Sequence, residues 1–110
     1  MAVTKMIFVR DRTINLQFDL HRPMDAADKI YFAMKNDRKD DFYAVEPIEC
    51  TITDAVNGLF NVTITNDLTT NLSTSKYYGE LMRITASGAY QTLQMYDIDL
   101  QPEIISSRDI

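Results

Sequence analysis

The sequence predicts an all-β protein, an antiparallel β-sandwich of about seven strands. Apolar and polar side chains alternate along several short stretches, and this period of two residues is typical of strands with one face in a core and the other in water. Turn-forming residues separate these stretches at intervals of roughly ten residues, which is the spacing expected of a sandwich. No internal repeat or low-complexity segment interrupts the pattern.

Length and composition indicate one globular domain. The chain has 110 residues, 45% of them apolar, and its 16 acidic and 11 basic side chains give a net charge of -5. A chain of this size buries about two-thirds of the surface that it exposes when unfolded, which is enough for one core without a disulfide or a metal. We therefore expect a single β-sandwich domain over residues 1–110, with a short C-terminal tail from about residue 101.

Charge and hydropathy exclude several classes of partner. The charges are spread along an acidic chain, whereas binding to nucleic acid or to a membrane surface needs clustered Lys and Arg. No stretch approaches the ~20 apolar residues that cross a bilayer, and the first residues lack the apolar segment of a signal peptide. The sequence therefore predicts neither a nucleic-acid partner nor a membrane partner, and no secretion.

Seven stretches are predicted to be strands. The second is the clearest, because Ile14, Leu16 and Phe18 alternate with polar residues. The fourth contains Pro47, which cannot donate to a sheet ladder, so we expect an edge strand or a bulge there. In the last two stretches both faces are partly apolar, which leaves the inward face unassigned. The predicted strands cover residues 6–10, 13–20, 29–34, 43–53, 60–65, 77–84 and 93–100.

The start of the third strand has two interpretations. Residues 23–35 also fit a helix, since Ala26 and Ile30 lie at helical spacing and Pro23 suits a first turn. A strand from Lys29 onward is favoured, because every neighbouring stretch is a strand. The helix remains the alternative.

Glycines mark the turns. Asn57-Gly58 is the sharpest signal, because both residues tolerate the positive φ that a tight reversal requires. Ser87-Gly88 separates the last two strands. Gly79 lies inside a tyrosine-rich strand, where we expect a bulge or a close approach of the backbone to a neighbour.

Two connections are polar. Residues 66–75 are expected to cross from one sheet to the other, with a short helical turn capped by Asn66 or Asp67. Residues 35–41 mix acidic and basic side chains, and such a run between apolar segments is typical of a solvated turn.

Residues that could carry catalysis or bind a metal are few. His21 is the single imidazole and lies in a predicted turn, while the single cysteine, Cys50, lies in a strand where an inert buried thiol is expected. One histidine and one cysteine cannot build a Cys/His zinc site. The carboxylates of Asp37, Asp40 and Asp41 lack the spacing of a calcium-binding EF-hand loop. We therefore expect no enzyme, no cofactor and no metal.

Tyrosine is the residue type that indicates a function. Its side chain combines a large apolar body with a polar tip and is enriched at protein interfaces. Tyrosines that share an exposed sheet face would form a protein-contact surface, and the alternative is that they pack across strands within the domain. The candidate interaction surface consists of Tyr43, Tyr77, Tyr78, Tyr90 and Tyr96.

Part of the sequence resembles a known family. The resemblance is carried by residues 52–65, ITDAVNGLFNVTIT, and by the tyrosine-rich residues 77–81, YYGEL. Together with the earlier strand at residues 14–18, they resemble the N-terminal domain of phage upper baseplate proteins, the BppU-like family, and related phage tail-tip modules. Ser75 and Lys76 depart from the family, which usually has a glycine ahead of the tyrosine-rich strand.

The resemblance implies an immunoglobulin-like β-sandwich that serves as an assembly module and has no catalytic residues. In such phage proteins the domain attaches a receptor-binding organelle or a fibre to the tail tip. The expected protein is thus a structural protein of a phage or prophage tail or baseplate, made in the host cytoplasm, whose partners are other tail and baseplate proteins and further copies of itself. The alternative is a small immunoglobulin-like module that binds carbohydrate, or that mediates calcium-dependent adhesion, through loop carboxylates or exposed tyrosines.

Overall fold

The computed structural model describes residues 3–110, so Met1 and Ala2 of the predicted domain lie outside the described residues. No helix in that range is long and apolar enough to cross a membrane. The described strands are β1 (Val3–Val9), β2 (Ile14–Asp19), β3 (Lys29–Lys35), β4 (Val45–Glu49), β5 (Thr51–Asp54), β6 (Leu59–Ile64), β7 (Lys76–Ile84) and β8 (Tyr90–Gln101), and two short 3₁₀-helices cover Asn66–Leu68 and Ser107–Asp109.

The strands form two sheets that enclose the core. One sheet has five strands in the order β1-β8-β7-β3-β4, and the other has three strands in the order β2-β6-β5. Strands β2, β6 and β5 take the positions of immunoglobulin strands B, E and D, and strands β3, β7 and β8 take those of C, F and G. The protein is therefore an immunoglobulin-like β-sandwich, and the predicted fold class is confirmed.

Every second residue of the central strands enters the core. Ile30, Phe32 and Met34 of β3 are fully buried, and they meet the inward residues of β6 from the facing sheet. Each large apolar side chain buried in this way contributes roughly 1.5–3 kcal/mol. The inward rows that the sequence left unassigned are Tyr77, Gly79 and Leu81 on β7 and Tyr96, Ile98 and Leu100 on β8.

The predicted strand over residues 43–53 is two strands. β4 ends at Glu49 in the five-stranded sheet, and β5 begins at Thr51 in the three-stranded sheet. Between them, the N–H of Cys50 donates to the carbonyl of Ile30 at 2.7 Å. The prediction of one continuous strand is wrong, because the apolar alternation runs on through the residue at which the chain changes sheets.

One strand pair is parallel. β1 runs in the same direction as β8, with Val3 opposite Met95 and Val9 opposite Gln101, whereas the other pairs are antiparallel. This edge therefore departs from the antiparallel pairing that the sequence predicted for the sandwich. The alternation of apolar and polar residues shows which face of the sheet a side chain lies on. It is the same in parallel and antiparallel pairs, so it could not predict the direction of β1.

Two finer expectations about strands are confirmed. The third strand begins at Lys29, and the residues before it form a turn in which the Asp28 N–H donates to the carbonyl of Asp25 at 3.0 Å, so the helical alternative is wrong. Pro47 lies on β4, which is an edge strand, and the register of β4 against β3 shifts between Phe32 and Met34.

The glycines behave as their positions suggest. Gly58 and Gly88 have φ of 72° and 93° in the β5–β6 and β7–β8 turns. At Gly79 a Cβ would lie 2.8 Å from Cδ1 of Ile98, which is the close approach expected there. A bulge in this strand pair lies at Leu93 of β8, which has no partner in the β7–β8 register.

The connection from β6 to β7 crosses between the sheets, as predicted, and contains a 3₁₀-helix over Asn66–Leu68. Its N-cap is Thr65, whose side chain makes no capping hydrogen bond. The expected cap by Asn66 or Asp67 is therefore wrong, because the turn starts one residue earlier.

The C-terminal tail packs back on the β1–β2 turn. The guanidinium of Arg10 donates to both carboxylate oxygens of Glu103, at 2.8 and 3.1 Å. The carboxylate of Asp11 accepts the backbone N–H of Ser107 at 2.8 Å, and Arg12 donates to the carbonyl of Ile105 at 2.7 Å. The residues after β8 are therefore fastened to the domain by polar contacts.

Candidate functional site

The five candidate tyrosines do not share one surface. Tyr77 and Tyr96 face the core and are 3% and 5% exposed. Tyr43 and Tyr90 are 47% and 73% exposed, and Tyr78 is half-buried on the outer side of β7. Tyr77 and Tyr96 therefore pack across strands, which was the alternative interpretation, and they do not contribute to a surface on the outer face of the sheet.

Tyr78 and Tyr43 lie close together on the outer face of the five-stranded sheet. Lys35 joins them, because it is the register neighbour of Tyr78 and its Nζ lies 4.9 Å from the centroid of the Tyr43 ring. A shallow depression of about 160 Å³ is lined by both tyrosines. Tyr90 is separate: it pairs with Ile84, six positions along β7 from Tyr78, or roughly 20 Å at the rise of a strand.

Arg38 reaches over Tyr78 from the β3–β4 loop. Its Cζ lies 5.1 Å from the centroid of the Tyr78 ring, and its Nη2 lies 3.8 Å from Oδ1 of Asp97. Both charged side chains are about half exposed, so water screens the ion pair, which contributes about 0–1 kcal/mol. A guanidinium stacked at an exposed site adds about 0.5–1 kcal/mol. Arg38 is thus positioned over the ring while its charge stays accessible.

The outer face continues past Tyr78 toward β1. A second depression, of about 300 Å³, is lined by Tyr78, Asp97 and Ile7 among others, and Ile7 is 72% exposed. Tyr78 therefore forms a ridge between two depressions. We call this surface the Tyr78 face and define it by Ile7, Arg38, Tyr43, Tyr78 and Asp97.

The sequence indicated the tyrosines of this face but not its cationic side chain, Arg38. Residues 36–41 are exposed, as a solvated turn should be, yet Arg38 from that turn stacks on Tyr78. Nothing in the local sequence distinguishes Arg38 from its charged neighbours. The signal lies in the strand order, which brings the β3–β4 loop to β7 and β8.

The two residues that the sequence offered for catalysis, His21 and Cys50, lie in opposite surroundings, one exposed and one buried. His21 is exposed in a turn with φ of 59°, and its Nδ1 lies 3.4 Å from Oδ2 of Asp19 at the surface. Cys50 is buried, and this burial raises the pKa of its thiol to about 12, with the nearby charge of Glu49 adding to the effect. The thiol is therefore protonated at neutral pH and is a poor nucleophile.

Of the loop carboxylates that the alternative function would use, that of Asp37 makes a local hydrogen bond. Oδ1 of Asp37 accepts the N–H of Lys39 at 3.1 Å, and the Asp37 carbonyl accepts the N–H of Asp40 at 3.0 Å. Within residues 3–110, no three His, Cys, Asp or Glu side chains come together in a group that could hold a metal ion.

Comparison with known proteins gives a likeness to solved structures alone. No family model matches the chain, and no curated protein sequence matches it. The chain is similar to the NK cell receptor Nkp44, a triggering partner in natural cytotoxicity, with a TM-score of 0.49 and 13% identity over 94% of this chain and 100% of that one. It is also similar to murine CRIg, with a TM-score of 0.38 and 12% identity over 90% of this chain and 92% of that one. Neither similarity bears on what this chain binds.

Proposed function

We propose that the chain is a non-enzymatic structural protein of a phage or prophage virion, an assembly module that attaches or supports receptor-binding or fibre components at the tail or baseplate. The observation that carries the proposal is the Tyr78 face. Tyrosine and arginine are enriched among the few residues that dominate the binding energy of protein interfaces, and Arg38 is stacked on Tyr78 in this face.

The Tyr78 face has the physical properties of a contact surface. Three of its residues, Ile7, Tyr78 and Asp97, lie on sheet strands, so their backbone has little conformational freedom to lose on binding. The depressions beside Tyr78 would accept side chains of a partner. The exposed side chain of Ile7 provides apolar surface that a partner would remove from water. Binding by shape and aromatic contact needs no cofactor.

The phage assignment is supported by the resembling residues. Residues 52–65 run through the β5–β6 hairpin, and residues 77–81 lie on β7, the strand that carries Tyr78. The proposed partners are other tail and baseplate proteins and further copies of the chain, and the proposed location is the virion.

The test measures binding to the tail and baseplate proteins that are encoded beside the gene for this chain. Each is purified and titrated calorimetrically with the wild-type chain and with Tyr78→Ala. We expect at least one to bind, and Tyr78→Ala to weaken that binding by about tenfold or more. The matched control is Tyr90→Ala, because Tyr90 is more exposed and lies outside the Tyr78 face.

Two outcomes would overturn parts of the proposal. If none of these proteins binds and none co-purifies with the chain in the particle, the phage role is wrong. If one binds but both Tyr78→Ala and Arg38→Ala bind equally well, the Tyr78 face is not the contact surface. Thermal unfolding of each variant checks that weaker binding does not result from loss of the folded structure.

A further inference from the structure

The β2 edge of the three-stranded sheet is uncovered. In immunoglobulin constant-type sandwiches strand A pairs with strand B, the position of β2, but here the first strand pairs with β8 of the other sheet. Ile14, Leu16 and Phe18 face inward from β2, and each is only partly buried, whereas the inward residues of the central strand β6 are buried. The core is therefore incompletely covered beside β2.

A groove follows this edge. It has a volume of about 370 Å³. Its apolar lining includes Phe18 of β2, Leu20 just beyond β2, Met6 of β1, Leu93 of β8 and the buried ring of Tyr96, and its polar lining consists of Thr4, Gln17, Asp19 and Gln94. It lies between the edges of the two sheets, where a strand beside β2 would cover it. An extended segment placed there would remove this apolar surface from water.

The backbone of β2 is ready to pair with such a segment. The Leu20 N–H donates to the carbonyl of Gly58 at 3.0 Å, one step beyond the antiparallel register of β2 and β6. Hydrogen-bonded pairs alternate along an antiparallel ladder, so the even-numbered residues of β2 bond to β6. The N–H and C=O groups of Asn15, Gln17 and Asp19 therefore point to the open edge, where they can template another strand.

The other sheet edges carry features that discourage pairing, whereas β2 does not. β4 contains Pro47 and a register shift, β5 has four residues and a register shift, and β1 carries Lys5. β2 has six residues in unbroken register, without Lys, Arg or Pro, and its one charge is the terminal Asp19. Natural sheets protect exposed edges with such features, so an unprotected edge indicates a partner strand.

We propose that this partner is the β2 strand of a second copy of the chain, paired antiparallel across a two-fold axis. The two three-stranded sheets then join into one six-stranded sheet. A two-fold arrangement uses the same edge of both copies and closes the assembly at a dimer.

The side chains of β2 are complementary to themselves when Gln17 lies on the two-fold axis. The backbone N–H and C=O groups of the odd-numbered residues point to the open edge, so Gln17 can pair with Gln17 of the second copy. This pairing sets Asn15 opposite Asp19. The Asn15 amide can donate to the Asp19 carboxylate there. On the groove side the same register sets Leu16 opposite Phe18. A register centred on Asp19 would oppose two carboxylates, and one centred on Asn15 would shorten the ladder. This fit to itself favours a second copy over a foreign strand.

The first test is the oligomeric state. Sedimentation equilibrium is expected to show a dimer for the wild-type chain, and Gln17→Lys is expected to weaken it by about tenfold or more, since two lysines would oppose each other at the axis. The control is Thr51→Lys, at an exposed position on β5 of the same sheet, which should leave the dimer unchanged. Tyr78→Ala should also leave it unchanged, so failure here is distinguishable from failure of the proposed function.

The second test is a cross-link. Residues that form a hydrogen-bonded antiparallel pair have Cα atoms about 5.5 Å apart, which a disulfide can span. Gln17→Cys should therefore give a covalent dimer on mild oxidation, while Thr51→Cys should not, and the buried Cys50 does not interfere. A chain that stays monomeric at the highest attainable concentration overturns the proposal. So does a dimer that Gln17→Lys leaves intact, or a monomer whose β2 edge binds only a different tail protein.

Discussion

The phenol hydroxyl of Tyr77 donates a hydrogen bond to the backbone carbonyl of Ser73, at 2.7 Å. Tyr77 stands at the start of β7, the F strand, and the bond reaches back into the connection that comes from β6. This is the tyrosine corner of immunoglobulin-like sandwiches, and Gly79 stands two residues on, where antibody domains have a cysteine of the inter-sheet disulfide. The corner therefore ties the β6–β7 connection to β7 in a domain that lacks the inter-sheet disulfide at this position.

Removal of the hydroxyl should lower the stability of the domain. Tyr77→Phe keeps the ring in the core and leaves the Ser73 carbonyl without this donor, so we expect the free energy of unfolding to fall by about 1 kcal/mol. Urea unfolding measures the change. Tyr90→Phe is the control, because Tyr90 is exposed and its change should stay within about 0.5 kcal/mol. Equal midpoints for both variants would show that the corner does not stabilise the fold.

The two hairpin glycines should respond differently to the same substitution. Gly58 and Gly88 both have positive φ, but a Cβ at Gly58 would overlap the carbonyl oxygen of Arg22, whereas a Cβ at Gly88 would meet no atom within 4 Å. Gly88→Ala should cost about 1–2 kcal/mol from the left-handed backbone alone. Gly58→Ala adds a clash with backbone and should cost a further ~1–3 kcal/mol. Thermal unfolding checks the order, and equal melting temperatures would contradict it.

The parts of the fold that the sequence predicted are those set by local chemistry. Alternation placed Ile30, Phe32 and Met34 in the core, and Gly58 and Gly88 fell at turns because few other residues accept positive φ. The local sequence does not show where the chain changes sheets at Cys50, or that β1 runs parallel to β8, because neither alters the alternation.

The candidate site was harder to predict for the same reason. Tyr77 and Tyr78 are adjacent and identical, yet one enters the core and the other reaches the surface. Both faces of that stretch are partly apolar, so composition could not choose between them. Arg38 meets Asp97 only because the β3–β4 loop folds toward β7 and β8, a neighbourhood that depends on strand order.

Cys50 should be inert in the folded chain. Burial raises the pKa of its thiol to about 12, and a thiolate is the reactive species toward disulfide reagents. At pH 8 the native chain should react about 100-fold more slowly than the chain unfolded in urea, because burial blocks both ionisation and access. Absorbance from a chromogenic disulfide reagent follows the reaction. Equal rates in the two states would mean that Cys50 is accessible and that β4 and β5 separate readily at this residue.

Asp11 makes the attachment of the C-terminal tail depend on pH. Its buried carboxylate accepts the backbone N–H of Ser107 and the hydroxyl of Thr70, each at 2.8 Å, and these bonds hold the pKa of Asp11 well below its ordinary value of 3.8. The ionised carboxylate therefore stabilises the fold above its unfolded pKa. That stabilisation is lost as the pH falls through the lower folded pKa.

Asp11→Asn tests this dependence, since asparagine also accepts the left-handed φ of 62° at this position. The variant should unfold at a lower urea concentration than the wild-type chain near pH 7. The gap should narrow as the pH falls below about 4, because the Asp11 carboxyl of the unfolded wild-type chain then takes up a proton while the folded chain keeps it ionised. Asp41→Asn is the control, because Asp41 is exposed in the β3–β4 loop and should show no such gap. A gap for Asp11→Asn that stays constant from neutral to acid pH would mean that the charge of Asp11 does not hold the tail.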